Sequence, residues 1–151
     1  MFGPPRDGSW IEALPDGHQG TLRTLEAMRY LVRKDYRSPY VRSAIQCVRN
    51  VFTGPRRNVV EALFFFARDR IRYVEDPPNI ERIADFRTTT ELGYGDCDDK
   101  TVWLATALLA CGVSVRFVVQ SLGEQWDHVF LEYYDWERFA WVALDATADG
   151  H

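Results

Sequence analysis

The sequence predicts an α+β fold in which helices come first and an antiparallel sheet follows. Two changes along the chain carry that expectation. Apolar residues recur at helical spacing through the first two thirds, and after Gly112 the period drops to two. Runs of helices followed by runs of strands give an α+β domain, with a helix packed on the sheet. The third observation is the stretch Gly95-Asp96-Cys97-Asp98-Asp99-Lys100, where a polar loop leads directly into an apolar helical pattern. At 151 residues the chain suits one domain with a good core.

Residues 1–20 contain Pro4, Pro5, Pro15 and four glycines, and read as an irregular arm preceding a single domain over 21–151. Thr21 reads as the N-cap of a first helix over about 22–34, with Leu22, Leu25, Met28, Leu31 and Val32 on one face. Ser38-Pro39 is a cap followed by proline at the first helical position, and opens a second helix with Val41, Ala44, Ile45 and Val48 inward. Asn58 with Glu61 starts a third helix that runs to about Arg70. From Val74 to Gly95 no period is visible and Pro77-Pro78 forbids helix, so a long loop is expected.

In the Cys97 helix, Val102, Ala105, Leu108 and Leu109 form one apolar stripe, and Gly112 stands where a helix C-terminus needs φ > 0. Strands follow over 113–119, Asp127 to Tyr134 and Phe139 to Asp145, with Asp135 to Arg138 turning between the last two.

Bulk composition excludes several classes. Eighteen basic against 22 acidic residues leave a net charge of −4, which gives no reason to expect nucleic acid. No apolar run reaches membrane-span length, and the N-terminus lacks the apolar core of a signal peptide. Three cysteines (Cys47, Cys97 and Cys111) contain no CxxC pair, against both a disulfide framework and a structural zinc site. A reducing cytoplasm is the expected location. Cys47 and Cys111 read as core.

Cys97 is different, because it falls in the first turn of its helix. Unpaired backbone N–H groups and the positive end of the dipole favour thiolate there. A thiol nucleophile needs a base, and the base needs a group to fix its tautomer. Of three histidines, His18 lies in the arm and His151 is terminal, which leaves His128 at a strand start. If Tyr134 pairs with Phe139, His128 lies opposite Asp145, close enough for an imidazole–carboxylate bond. Cys97, His128 and Asp145 are therefore the candidate catalytic set. The adjacent acids oppose activation, since nearby negative charge raises a thiol pKa. Asp96 reads as the N-cap, with Asp98 and Asp99 complementing the dipole. All three also offer the hard oxygen ligands of a calcium site.

The ordered blocks Gly-Asp-Cys97-Asp-Asp-Lys, Gly112 to Val118, Asp127-His128-Val129 and Trp141 to Thr147 resemble the transglutaminase-like superfamily, over roughly residues 60–147. The stretch Phe66 to Tyr73 is similar to small transglutaminase-like proteins of tailed phages and prophages. The resemblance implies a papain-like triad with Cys97 as nucleophile, His128 as general base and acid, and Asp145 as orienting carboxylate. No cofactor is required for that chemistry. The Asp96-Cys97-Asp98 pattern also resembles calcium-dependent bacterial transglutaminase-like cysteine proteinases. Papain-like enzymes often carry a glutamine before the cysteine as second oxyanion donor, whereas Glu91, Leu92 and Tyr94 stand here. Tyr94 and Trp126 are the candidate substrate-binding residues.

The expected function is a cysteine peptidase, amidase or acyltransferase acting on a protein or peptide amide, with no nucleic acid or membrane partner. A phage-encoded protein would act in the host cytoplasm or in the virion. The alternative is a non-catalytic virion or assembly protein that keeps the fold.

Overall fold

A computed structural model of the chain describes residues 9–13, 19–52, 58–77, 82–121 and 127–147. In chain order the elements are β1 (Ser9–Ala13), α1 (Gln19–Asp35), α2 (Pro39–Val51), α3 (Val59–Arg70), β2 (Arg72–Tyr73), α4 (Phe86–Leu92), β3 (Tyr94–Gly95), α5 (Cys97–Ala110), β4 (Val115–Ser121), β5 (Asp127–Asp135) and β6 (Ala140–Leu144). The main sheet has the order β1-β4-β5-β6, and β2 pairs with β3 in a small parallel ladder.

The helix starts follow local chemistry. Ser38 accepts the Val41 N–H at 3.2 Å, with Pro39 at the first helical position where its missing N–H costs nothing. Asn58 accepts the Glu61 N–H at 2.9 Å. Gly112, with φ 78°, closes α5 in a Schellman turn: Gly112 N–H donates to Leu109 O and Val113 N–H to Leu108 O, both at 3.0 Å. Helix α1 begins at Gln19, so Thr21 lies inside it rather than capping it.

Helix α5 is the centre of the domain. Helices α1 to α4 pack on it from one side and β4 and β5 from the other. Residues Asp99 to Leu109 are all buried, so the helix is enclosed all round rather than along the single stripe expected. Its Trp103 ring lies between Phe66 and Phe86, stacked on each at 5.0 Å, and Trp103 Nε1 donates to Thr90 Oγ1 at 2.8 Å. Leu25, Met28 and Val32 of α1 and Val41, Ile45 and Val48 of α2 complete the helical side of the core. Leu22, expected inward, is 48% exposed. Cys47, also expected inward, is exposed: its neighbours Ile45 and Val48 define the buried stripe and turn it outward. Cys111 packs at the core margin.

The sheet departs from expectation in three ways. Ser9–Ala13, inside the segment read as irregular, forms an edge strand parallel to β4. Only five residues pair, so no repeating pattern marks them in the sequence. The expected loop from Val74 to Gly95 contains β3 and the seven-residue helix α4, capped by Asp85 through the Thr88 N–H at 2.8 Å. A helix of two turns is too short to develop a period. Finally, the β5–β6 hairpin pairs Tyr134 with Trp141, not with Phe139, and ends at Leu131 with Leu144. The turn, Trp136 to Phe139, lies one residue nearer the C-terminus than expected, which moves each partner by two, and an even slip leaves each side chain on its own face.

Candidate active site

Cys97 opens α5 because Asp96 caps it. Asp96 Oδ1 accepts from the N–H groups of Asp98 and Asp99 at 3.1 and 3.2 Å, and Asp99 Oδ2 accepts in return from the Asp96 N–H at 3.1 Å. This reciprocal box satisfies first-turn donors without water. Gly95 is needed beside it, since a Cβ there would lie 2.6 Å from the Asp99 Cβ. Asp99 Oδ1 also accepts the Ala84 N–H at 2.7 Å, which ties the segment before α4 to the Cys97 turn.

His128 and Asp145 meet at the other side of the site. His128 Nε2 lies 2.6 Å from Asp145 Oδ2. Asp145 stands one residue beyond β6, diagonal to His128 rather than opposite it; the register carried past its last pair would put Thr147 across from the histidine. Thr147 accordingly lies between the two. Its Oγ1 donates to Asp145 Oδ1 at 2.6 Å, its N–H donates to the same oxygen at 3.0 Å, and Oγ1 is 3.4 Å from His128 Nε2. Burial alone would raise the Asp145 carboxyl, but the bonds from His128 and Thr147 outweigh it and hold the group down at about 2. Asp145 is thus ionised and can only accept, so the hydrogen of a neutral His128 sits on Nε2 and the lone pair on Nδ1.

Cys97 is half-buried, and the N–H of Val129, the residue after His128, is directed at its sulfur. The dipole does not prevail here. Burial chiefly, and then the Asp98 carboxylate, push the thiol well above its ordinary value. Cys97 Sγ donates to Asp98 Oδ1 at 3.7 Å. Asp98→Asn is therefore expected to speed iodoacetamide labelling of Cys97 at neutral pH severalfold, one pK unit being worth about tenfold in thiolate. An unchanged rate would show that burial alone sets the thiol.

The three acids of the sequence motif separate. Asp96 and Asp99 come together with Asp76, all within 4.8 Å of one another, while Asp98 stands apart at the sulfur. Asp76 has no sequence signal, because its position depends on how the segment before α4 folds back. Burial and the two neighbouring aspartates push Asp96 up to about 8. An ordinary aspartate titrates near 3.9. The folded state's extra hold on the proton therefore stabilises fully below about pH 4 and is lost as pH rises through about 8. The melting temperature should fall from pH 5 to pH 8, and Asp96→Asn, which keeps a capping acceptor, should flatten that slope; an undiminished slope would place the proton elsewhere.

Other positions resolve simply. Tyr94 lies in β3 and is 38% exposed, paired with Arg72. Trp126, His18 and His151 lie outside the described residues. Two residues near the site were given no role by the sequence. Tyr73, on β2 beside Gly95, is pushed up to about 12 by burial and then by Cys97. Lys100 is fully buried, donates to Arg68 O at 3.3 Å, and is lowered to about 8 by desolvation against the opposing pull of Asp69 and Asp145.

A helix start bearing a cysteine, set against a strand bearing a histidine held by a carboxylate, defines a class, and sequence comparison agrees. Residues 45–146 match the model of the transglutaminase-like superfamily, and the chain belongs to that family. No curated protein matches it by sequence. Solved structures share the fold. The periplasmic domain of TgpA from Pseudomonas aeruginosa, bound to ethylmercury, superposes with a TM-score of 0.52 and 21% identity over 73% of this chain and 45% of that one. The "Putative Cysteine Protease" from Cytophaga hutchinsonii gives 0.56 and 17% over 92% and 46%. The chain thus spans less than half the length of either. Among the described residues no helix is long and apolar enough to cross a membrane.

Proposed function

We propose that the chain is a thiol-dependent enzyme acting on amide bonds of a protein or peptide, through Cys97, His128 and Asp145. The observation that supports this most is the 2.6 Å bond between His128 Nε2 and the ionised Asp145. It fixes the tautomer that leaves Nδ1 as a base, on the strand whose next amide reaches the Cys97 sulfur. Because the thiol rests protonated, His128 acts as general base during attack rather than through a preformed ion pair.

Cys97 Sγ bonds to the amide carbonyl carbon as its proton passes to Nδ1. The backbone N–H of Cys97, at the helix start, faces the developing oxyanion. The C–N bond then breaks, Nδ1 returns the proton to the leaving amine, and a thioester remains on Cys97. Water releases the acid, or a second amine takes the acyl group; the first outcome makes a peptidase or amidase and the second a transamidase. Incubation with peptide amides should yield a Cys97 acyl adduct by intact mass. A parent protein that acquires none from any of a broad panel would favour the second reading, a non-catalytic domain of the same fold, which the protonated, Asp98-bonded thiol supports.

Asp76, Asp96 and Asp99 would hold calcium if the site takes one, since their oxygens are hard ligands and their mutual repulsion needs a proton or a cation to offset it. Calcium would supply charge neutralisation beside Cys97. On this reading, calcium at pH 8 raises the melting temperature and chelator reverses the gain; equal melting with and without chelator would remove calcium from the account.

A further inference from the structure

Two buried threonines on α5 use their hydroxyls differently. Thr106 Oγ1 donates back to Val102 O, one turn earlier in the same helix, at 2.6 Å. This is the ordinary local bond of a threonine in a helix. Thr101, 5% exposed, has Cys97 one turn earlier, yet its Oγ1 crosses to β5 and donates to Val129 O at 3.3 Å.

The reason lies in the hairpin. Among the described residues, the β5–β6 ladder ends at Leu131 with Leu144, and Val129 lies two residues beyond that end. The N–H and C=O of one residue in an antiparallel strand point to the same side. At Val129 the first two turns of α5 meet both: the carbonyl takes the Thr101 hydroxyl, and the N–H is directed at the Cys97 sulfur. Helix and strand are thus clamped at the residue next to His128.

We propose that Thr101 is a positioning residue of the thiol site, its bond to Val129 O holding the His128 strand in place against the first turn of α5. The inference deepens the proposed function and rests on it for its catalytic meaning. Thr101 touches no reacting atom; it acts through Val129 on the setting of Cys97 and His128. Removing the hydroxyl frees Val129 to drift from the helix, and the sulfur loses its backbone donor.

The test uses the full-length protein and iodoacetamide at one fixed neutral pH, with labelling of Cys97 measured by peptide mass relative to exposed Cys47. Thr101→Val keeps the shape and should lower the Cys97:Cys47 ratio by roughly three- to tenfold, the size of one hydrogen bond to the sulfur. Thr101→Ser should restore the ratio. Thr106→Val, which removes a buried hydroxyl from the same helix, should leave it at the parent value. With an amide substrate in hand, Thr101→Val should reduce kcat and leave KM unchanged. A Thr101→Val ratio equal to or above the parent's overturns the inference. Should that variant not fold, Thr101→Ala against Thr101→Ser is read by the same criterion. Labelling needs no amide substrate, so the two readings fail separately. A ratio that responds in a protein with no amide turnover sinks the proposed function alone, and turnover with an unresponsive ratio sinks the role of Thr101 alone.

Discussion

Cys97→Ala is expected to abolish turnover and the acyl adduct together, and His128→Ala to reduce turnover by on the order of 10²–10⁴-fold, the usual worth of a positioned general base. The two substitutions differ in what they leave. Without the sulfur no thioester forms. Without the imidazole the thiol remains, but burial and Asp98 hold it in the protonated form and it loses its positioned base. Asp145→Asn should cost less than either: the amide keeps the volume but does not oblige Nε2 to carry the hydrogen, so His128 spends part of its time with the proton on the wrong nitrogen. Because Asp145 stays ionised down to about 2, the loss in the asparagine variant should persist across the whole neutral range. Steady-state rates and intact mass on the same samples check all three. Full activity in the alanine variant at position 97 would falsify the thiol mechanism outright.

The second large effect concerns stability. Trp103→Ala should cost about 3–5 kcal/mol, as the loss of a large aromatic from a packed core generally does. Three contacts go at once: the stacks on Phe66 and Phe86, and the Nε1 bond that leaves Thr90 Oγ1 without its donor. Because α3 and α4 contribute the two flanking rings, the cavity opens between these two helices. Urea unfolding monitored by circular dichroism is the measurement. Trp103→Phe should recover more than half of the loss, since the stacks survive and only the indole N–H is missing. A loss below about 1 kcal/mol for the alanine variant would mean that the core collapses around the gap, contrary to the rigid enclosure of α5.

Much of this was legible in the sequence wherever a local rule acts. Ser38-Pro39, Asn58 and Asp96 cap their helices as read, and Gly112 has the positive φ expected of it. The order of helices and then strands gave the fold class. What escaped was set by contacts between distant segments. Helix α4 is too short for a period, and β1 is ordered by pairing with a strand a hundred residues away. Complete burial of α5 could not be read from one apolar stripe, because its charged residues are accommodated: Asp99 by backbone amides and Lys100 by a carbonyl. At the site, Asp145 was named from a register that the hairpin does not adopt. The bond exists because a diagonal neighbour is still within reach and an even slip keeps the face. Thr147 takes the position the sequence reading gave to Asp145, and it supports that carboxylate instead. Asp76 and Thr101 had no motif to announce them.

The same hairpin has a practical consequence. Its tip carries the outward-facing Trp136 and Phe139, and β5 runs seven residues from there back to His128, on the order of 24 Å at the rise of an extended strand. Because β5 is also paired with β4 from Tyr133 to Asp127, residues added within the turn leave the register of His128 unchanged. The tip is therefore a handle remote from the chemistry, where a dye, a tether or a tag can be attached while the thiol end goes on working.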